Sequence, residues 1–549
     1  MLAKWWKRVV VYQIYPKSFY DSDGDGIGDL NGITEKLDYL KELGVDVLWI
    51  CPIYCSPMED NGYDISDYYR VDPMFGSNAD MDRLLCEAGK RGMKIILDLV
   101  VNHCSDEHVW FKKAVADPDC EEAGYFYFKN TADEEEPNNW CSNFGGSVWT
   151  RLADGRWYYH TFSKKQPDLN WENPKLREKV YEMINWWLDK GVAGFRVDAI
   201  TFIKKDLSFK SRATEDGFRY PIENLTDYPG IGGFLTEMKE KCFDKHDCMT
   251  VAEAPGVGNE TFREYAGEDG YFSMIFDFTW ENMESEADKS SIEAVERLKK
   301  RIFDSQRFVS KAGWSAVFLE NHDQSRCVNK YLEKENICFE SASALATMYF
   351  FLYGTPFIYE GQEIGMTNAV WNSIGEMEDV RAKGKYKEAI ERRQDPQKVL
   401  EYFSELGRDN SRTPMQWNSE ENAGFTKGRP WIKVNENYKV INVEEQKTRS
   451  DSLLSYYKKL TALHHEDVYE DVFAEGSVRQ ILEDVPAVFA YEREWDGRAV
   501  TVVVNFKKGP QEIQGTKAEV LLNNHKTLCA KDGKLLLAPY QAVVFDGKI

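Results

Sequence analysis

Eight short apolar runs, at residues 9–19, 45–54, 94–103, 194–200, 249–253, 272–278, 315–323 and 356–361, are separated for the most part by stretches of helical periodicity. So many strand–helix cycles leave few architectures open, because successive parallel strands need a crossover rather than a hairpin turn. The alternation predicts an α/β fold, a (β/α)8 TIM barrel, whose functional groups collect at the carboxyl ends of the strands. Four runs end in polar groups for which a core has no use. The run at 94–103 stops at Asn102-His103, that at 194–200 carries Arg196 and Asp198, that at 249–253 ends in Glu253, and that at 315–323 ends in Asn321-His322-Asp323. If these strands are parallel neighbours, all of these groups meet at one mouth.

The helical spacers carry ordinary start and stop signals. Ile33, Leu37, Leu40 and Leu43 share one face ahead of Gly44, and Asn173-Pro174 opens a second helix through Leu176, Val180, Met183 and Trp187 to Gly191. Between them, residues 104–173 lose all periodicity in a polar, aromatic, Asn/Gly/Pro-rich segment, which is long enough to be functional. From 477 onward the alternation has period two, with turns at Asp496-Gly497 and Asp532-Gly533. The expected organisation is a barrel from 1–103 and 174–476 with a helical insertion near 370–415, an inserted domain at 104–173, and a C-terminal antiparallel β-sandwich at 477–549.

Charge and cysteine content narrow the partners. Acidic residues outnumber basic ones 92 to 69, a net charge of −23, which argues against nucleic acid or an anionic membrane surface. No run approaches the ~18 apolar residues of a membrane-spanning helix, and the opening MLAKWWKR leads into a strand with no apolar leader region. The 11 cysteines are odd in number and scattered, as expected of reduced thiols in a cytoplasmic protein. Cys51 and Cys55 form a tight pair, but without a second pair or a nearby His they do not read as a zinc site.

The three acids at strand ends suggest glycoside cleavage. Retaining hydrolysis needs a nucleophilic carboxylate and a second carboxyl group ~5–5.5 Å away that can carry a proton. Asp198 fits the first role, because Arg196 two residues earlier faces the same side and would keep it ionised. Glu253 follows an apolar stretch and fits the acid/base, its proton affinity raised by burial. Asp323 would grip sugar hydroxyls, as would neutral His103 and His322. In the segment 56–70, Tyr63 offers an aromatic floor and Asp60 an acceptor. The loop Asp21-Ser22-Asp23-Gly24-Asp25-Gly26-Ile27-Gly28-Asp29 has oxygen ligands at alternate positions, as a calcium loop requires, although the glutamate of an EF-hand is replaced by Gly32.

DLVVNH (98–103), GFRVDAI (194–200), VAE (251–253) and ENHD (320–323) resemble the four ordered motifs of the α-amylase family, and QPDLNW (166–171) resembles the fifth motif of its oligo-1,6-glucosidase and α-glucosidase branch. The resemblance covers essentially the whole chain. It implies Asp198 as nucleophile, Glu253 as acid/base and Asp323 as transition-state stabiliser. It also implies Asp60, Tyr63, His103, Arg196 and His322 around the first sugar, with Asp98 orienting Arg196 and with Phe144 and Phe162 as aromatic walls. GRDNSRTPMQW (407–417) resembles the segment whose arginine pairs with the Asp60-type acid, leaving Arg408 or Arg412, with Arg408 favoured.

The loop matches the branch's cation site at Asp21, Asp23, Asp25, Ile27 and Asp29, with Asp23 where Asn is more usual; the ion would be structural Ca2+, with Mg2+ as the alternative. Strict α-1,6 members tend to carry Val after the nucleophile, where this chain has Ala199, so a broader specificity is expected. The resemblance therefore implies a retaining exo-α-glucosidase acting on short α-1,4/α-1,6-linked gluco-oligosaccharides, and the chain is expected to act as a monomer. The alternatives are a sucrose- or trehalose-6-phosphate-directed relative and, in another class, an inactive carbohydrate-binding relative.

Overall fold

The computed structural model describes residues 4–131, 135–214, 219–267, 269–279, 288–515 and 518–549. Eight parallel strands close into a barrel, each hydrogen-bonded to the next in sequence and the eighth to the first: Val11–Ile14, Val47–Ile50, Lys94–Val100, Gly194–Asp198, Met249–Ala252, Met274–Phe276, Ser315–Val317 and Thr355–Tyr359. Closure pairs Val11 with Val47 on one side and with Phe357 on the other. Trp49, Phe276, Phe318 and Phe357 fill the barrel's interior with tilted and edge-to-face ring contacts. Leu, Ile and Val side chains pack outward against the helices, so the strands are apolar on both faces.

Several strands are shorter than their apolar runs suggested. The run at 9–19 gives up its end to a short helix, Pro16–Phe19, because Pro16 fits the first helical turn. The run at 315–323 is strand only to Val317, so Glu320 to Asp323 lie in the following loop, as Asn102 and His103 do after Val100. The first helix is two, Leu30–Glu35 and Leu37–Leu43, the latter closed by left-handed Gly44.

The 104–173 segment contains a helix, Val109–Ala116, and a three-stranded sheet of Phe128–Lys129, Trp157–Tyr159 and Trp149–Arg151. Its aromatic core extends beyond 173. Phe202, Phe209, Ile222 and Leu225, which follow the fourth barrel strand, pack with Trp140, Trp149 and Tyr159, and Tyr220–Pro221 pairs with Trp140–Cys141. No periodic signal in the sequence marked that return.

The C-terminal region is a five-stranded sheet facing a three-stranded one, and its Asp496-Gly497 and Asp532-Gly533 turns have positive φ at both residues. It is clamped to the barrel by buried Arg493, which donates to the carbonyls of Phe351, Leu352, Phe473 and Gly476 at 2.7–3.0 Å. Helix Val380–Glu391 brings Arg381 to the mouth and packs against Pro396–Leu406 through Ala382, Leu400 and Phe403. Gly384 lets the first approach the inserted region, since a Cβ there would stand 2.6 Å from the Phe144 carbonyl oxygen.

Candidate active site

The strand ends converge on a pocket of about 440 Å³ lined by, among others, Asp60, Tyr63, His103, Asp198, Glu253, Asp323 and Arg408. Arg196 organises its floor. Its Nη1 donates to Asp98 Oδ1 and Asp198 Oδ1, both at 2.6 Å, and its Nη2 donates to Glu253 Oε2 at 2.7 Å. One planar fork therefore carries an oxygen from each of the two carboxyl groups, drawn from neighbouring strands. The Ala199 N–H gives Glu253 Oε2 a second donor at 3.1 Å, from a residue held in the left-handed region at φ 43°. Asp198 Oδ2 and Glu253 Oε1 are left free of these bonds.

The charge balance differs from the simple expectation that Arg196 holds Asp198 ionised. Burial pushes the Asp198 carboxyl up and outweighs the pull of Arg196, which must also serve Asp98 and Glu253. Burial likewise raises Asp98 to about 6 against the same guanidinium. Asp98 and Asp198, buried around one shared cation, therefore retain protons further towards neutrality than a lone Arg–Asp pair would. The burial expected at Glu253 falls on Asp198 and Asp98 instead, because Glu253 is the partly open member, its side chain 25% exposed.

Asp323 stands on the opposite wall. Arg408 Nη1 and Arg412 Nη2 donate to its Oδ1 at 3.1 and 2.9 Å. Burial opposes its charge, but His322 and the arginines overturn that penalty and hold Asp323 well below the usual carboxylate range. His322 is itself neutral at working pH, lowered by burial to about 3, so the arginines carry the effect. His103 is lowered by burial to about 4, and its Nε2 lies 3.0 Å from the Tyr63 carbonyl oxygen. Both imidazoles are thus neutral.

The rear of the pocket is closed by Arg408, whose Nη2 donates to Asp60 Oδ1 at 3.2 Å while its guanidinium lies 5.3 Å from the Phe144 ring centroid. Phe144, Phe162 and His103 continue that wall, with successive ring centroids 5.5 and 5.1 Å apart. Of the two arginines, Arg408 lines the pocket and bonds Asp60, whereas Arg412 sits behind Asp323, donating from Nε to the His322 carbonyl oxygen at 3.0 Å.

Sequence reasoning missed several supports. Asp379, almost fully buried at the start of the Val380–Glu391 helix, accepts from Arg408 Nε at 3.1 Å and Nη2 at 2.5 Å. Gln166 of QPDLNW donates to Asp60 Oδ2 at 3.2 Å and approaches His103 Nε2 at 3.1 Å. In the same motif, buried Asp168 pairs with Lys205 at 2.6 Å. QPDLNW was the one available signal; nothing local marked Asp379 or Lys205.

In the 21–29 loop, Asp21, Asp23 and Asp29 place one carboxylate oxygen each within 4.8 Å of one another. Asp25 is not among those three carboxylates; its Oδ1 accepts from the Ile27 N–H at 2.8 Å.

Residues 13–472 match the family model of the α-amylase catalytic domain. The chain is 43% identical over 562 residues to an oligo-1,6-glucosidase of Bacillus cereus, with both chains covered in full. Among solved structures it superposes on a trehalose-6-phosphate hydrolase of Bacillus licheniformis at TM-score 0.90 and 41% identity, covering 99% of this chain and 100% of that one. It also superposes on a trehalulose synthase of Pseudomonas mesoacidophila MX-45 at TM-score 0.93 and 38% identity, with full coverage of both. Motifs, barrel and full-length likeness agree that the chain belongs to the α-amylase family of glycoside hydrolases.

Proposed function

We propose that the protein is a retaining exo-α-glucosidase that releases glucose from the non-reducing end of short α-1,6- and α-1,4-linked gluco-oligosaccharides. The observation that carries this reading is the shared Arg196 fork under Asp198 and Glu253, in a pocket whose rear is shut by the Asp60–Arg408 pair. A closed rear admits a chain end and excludes a passing glucan. The likeness to oligo-1,6-glucosidases supports glucose-specific cleavage.

In the reactive form the pair carries one proton, on Glu253: the Asp198 carboxylate, held by Arg196, attacks the anomeric carbon through Oδ2 while Glu253, through Oε1, gives that proton to the glycosidic oxygen. The C–O bond breaks with its electron pair on the departing oxygen, leaving a β-glucosyl ester on Asp198. Glu253, now a carboxylate, takes a proton from water. The water oxygen attacks the same carbon, and the ester electron pair returns to Asp198 with net retention. Asp323, kept ionised by its arginines, binds sugar hydroxyls together with neutral His103 and His322, and Asp60 with Arg408 grips the terminal hydroxyls.

The three carboxylates of the 21–29 loop are hard oxygen donors suited to calcium or magnesium. Asp21, Asp23 and Asp29 would hold the ion, which would tie the loop after the first strand to residues 425–431. That segment already donates to Asp21 through Thr426. The 11 cysteines are all free, which supports a reducing, cytoplasmic setting, and no helix among the described residues is long and apolar enough to cross a membrane. The reading is of a monomer.

Arg381, exposed at the pocket mouth, favours a second reading with a phosphorylated aglycone, as in the trehalose-6-phosphate hydrolases. Measuring kcat/KM for isomaltose, maltose, sucrose and trehalose 6-phosphate side by side decides between them. Glucose as the first product of isomaltotriose and maltotriose supports the main reading; internal cleavage or preference for the phosphorylated sugar overturns it.

A further inference from the structure

Gln13, on the first barrel strand, lies below the pocket and was not marked by any motif. It is almost fully buried, and its Nε2 stands 2.7 Å from His322 Nδ1 and 3.2 Å from Cys51 Sγ. The opposite ring nitrogen, His322 Nε2, lies 3.2 Å from Asp323 Oδ2 and 2.6 Å from the Tyr63 hydroxyl. We infer that Gln13 is a positioning residue that sets the tautomer of His322, so that its single proton sits on Nε2 and is presented to Asp323.

A neutral imidazole has one N–H and one lone pair, and the partner of one nitrogen dictates the other. An amide N–H at 2.7 Å from Nδ1 requires a lone pair there, so the proton resides on Nε2. Turning the amide over would place the proton on Nδ1 and leave the Nε2 lone pair facing the ionised Asp323 at 3.2 Å, a repulsive contact even where the Tyr63 hydroxyl at 2.6 Å turns its own proton onto Nε2; with Nε2–H, the ring instead donates between that hydroxyl and Asp323. Protonation of both nitrogens is opposed by the same amide and by the surrounding cations: Arg196 from the fourth strand, and Arg408 and Arg412 from the segment after the eighth. The remaining groups around the ring are Tyr15 just past the first strand, Trp49 on the second, Tyr63 on the following loop and the Cys51 thiol. Among the hydrogen bonds described for the ring, the one at Nδ1 comes from the Gln13 amide N–H. With Nε2–H fixed, Asp323 receives a neutral donor across the working pH range, and its orientation towards the sugar hydroxyls does not titrate.

This inference rests on the proposed role of Asp323, but its first readout does not. Gln13→Glu puts an acceptor opposite Nδ1, and side-chain 15N NMR of His322, assigned by its loss in His322→Gln, reads the tautomer directly. The wild type is expected to show a neutral Nε2–H ring throughout pH 5–9. Gln13→Glu is expected to acquire a His322 ionisation in that range and a proton on Nδ1 above it. Its kcat on an aryl α-glucoside should fall about 10- to 100-fold at the alkaline end, with KM little changed.

Gln13→Met, which removes the amide N–H at similar volume, guards against a misfolded first variant; its His322 should exchange between tautomers at an unchanged melting temperature. A His322 that stays neutral and Nε2-protonated in the variants, with a pH profile of wild-type shape, overturns the inference and leaves the functional reading standing. A wild type that shows the tautomer but does not cleave α-glucosides sinks the functional reading instead.

Discussion

Replacing Arg408 by alanine removes a side chain that, like Arg196 on the pocket floor, touches three acids of the site at once. In the structure its guanidinium serves Asp379 through two N–H groups, Asp60 through one and Asp323 through one. Arg412 still covers Asp323, and Gln166 still donates to Asp60, so the carboxylate abandoned most completely is Asp379, which among the described residues keeps only the Arg381 backbone N–H. Leaving a buried charge without its partner costs about 3–5 kcal/mol.

The sign of the pH dependence follows. With Arg408 present, burial raises the proton affinity of Asp379 but the guanidinium overcomes it and holds the acid low, so this acid stabilises the fold above the unfolded carboxylate range and ceases to do so as pH falls through its folded value. In Arg408→Ala the cation is gone and the carboxyl takes up a proton more readily. The deficit relative to wild type is therefore fully developed at pH 7.5 and shrinks towards pH 5. Urea unfolding at both pH values measures it, and kcat/KM on an aryl α-glucoside should fall about 10- to 100-fold for the loss of one charged contact to the sugar. A deficit under about 1 kcal/mol at pH 7.5, or one that grows as pH falls, refutes the reasoning about the buried cluster.

Asp198→Asn should lower kcat by about 10⁴-fold or more with an unchanged melting curve, because an amide cannot form the ester. Ala199→Val places a β-branched residue at φ 43° and should lose about 1–3 kcal/mol of stability by thermal melt; narrowing the pocket should also raise the isomaltose-to-maltose ratio of kcat/KM about 10-fold. Chelation by EDTA should lower the melting temperature and added calcium restore it, worth about 3 kcal/mol at a hundred-fold excess over Kd. Gly26→Ala should abolish that response, since its Cβ would stand 1.9 Å from the Arg429 carbonyl oxygen at φ +99°. Burial opposes the charge of His465, but Asp46 at 3.0 Å outweighs it and raises the imidazole. Its stabilisation is present below the ordinary histidine range and is lost as pH rises through the raised value, so His465→Gln should lower the melting temperature at pH 6 and not at pH 9.

The barrel was legible because strands buried on both faces leave unbroken apolar runs, and because their functional ends break that pattern with polar groups. Asp198, Glu253 and Asp323 stood out for that reason, and the structure brings all three to one pocket. Strand ends were read too long at Phe19 and Asp323, since a buried loop or short helix is as apolar as a strand. Asp379 and Gln13 were invisible. A helix-capping acid and a polar residue within an apolar run look ordinary until tertiary contact gives each its partner, Arg408 in one case and His322 in the other. The division of charge around Arg196 was also beyond sequence reasoning, because it depends on how many acids share one guanidinium.

The most direct measurement of the central claim is to trap the glycosyl-enzyme with a 5-fluoroglucosyl fluoride and locate the modified residue by peptide mass spectrometry, with 1H NMR of the first glucose released from isomaltose. Modification of Asp198 and release of the α-anomer are the expected results. A label on another residue, or the β-anomer as first product, would contradict the account.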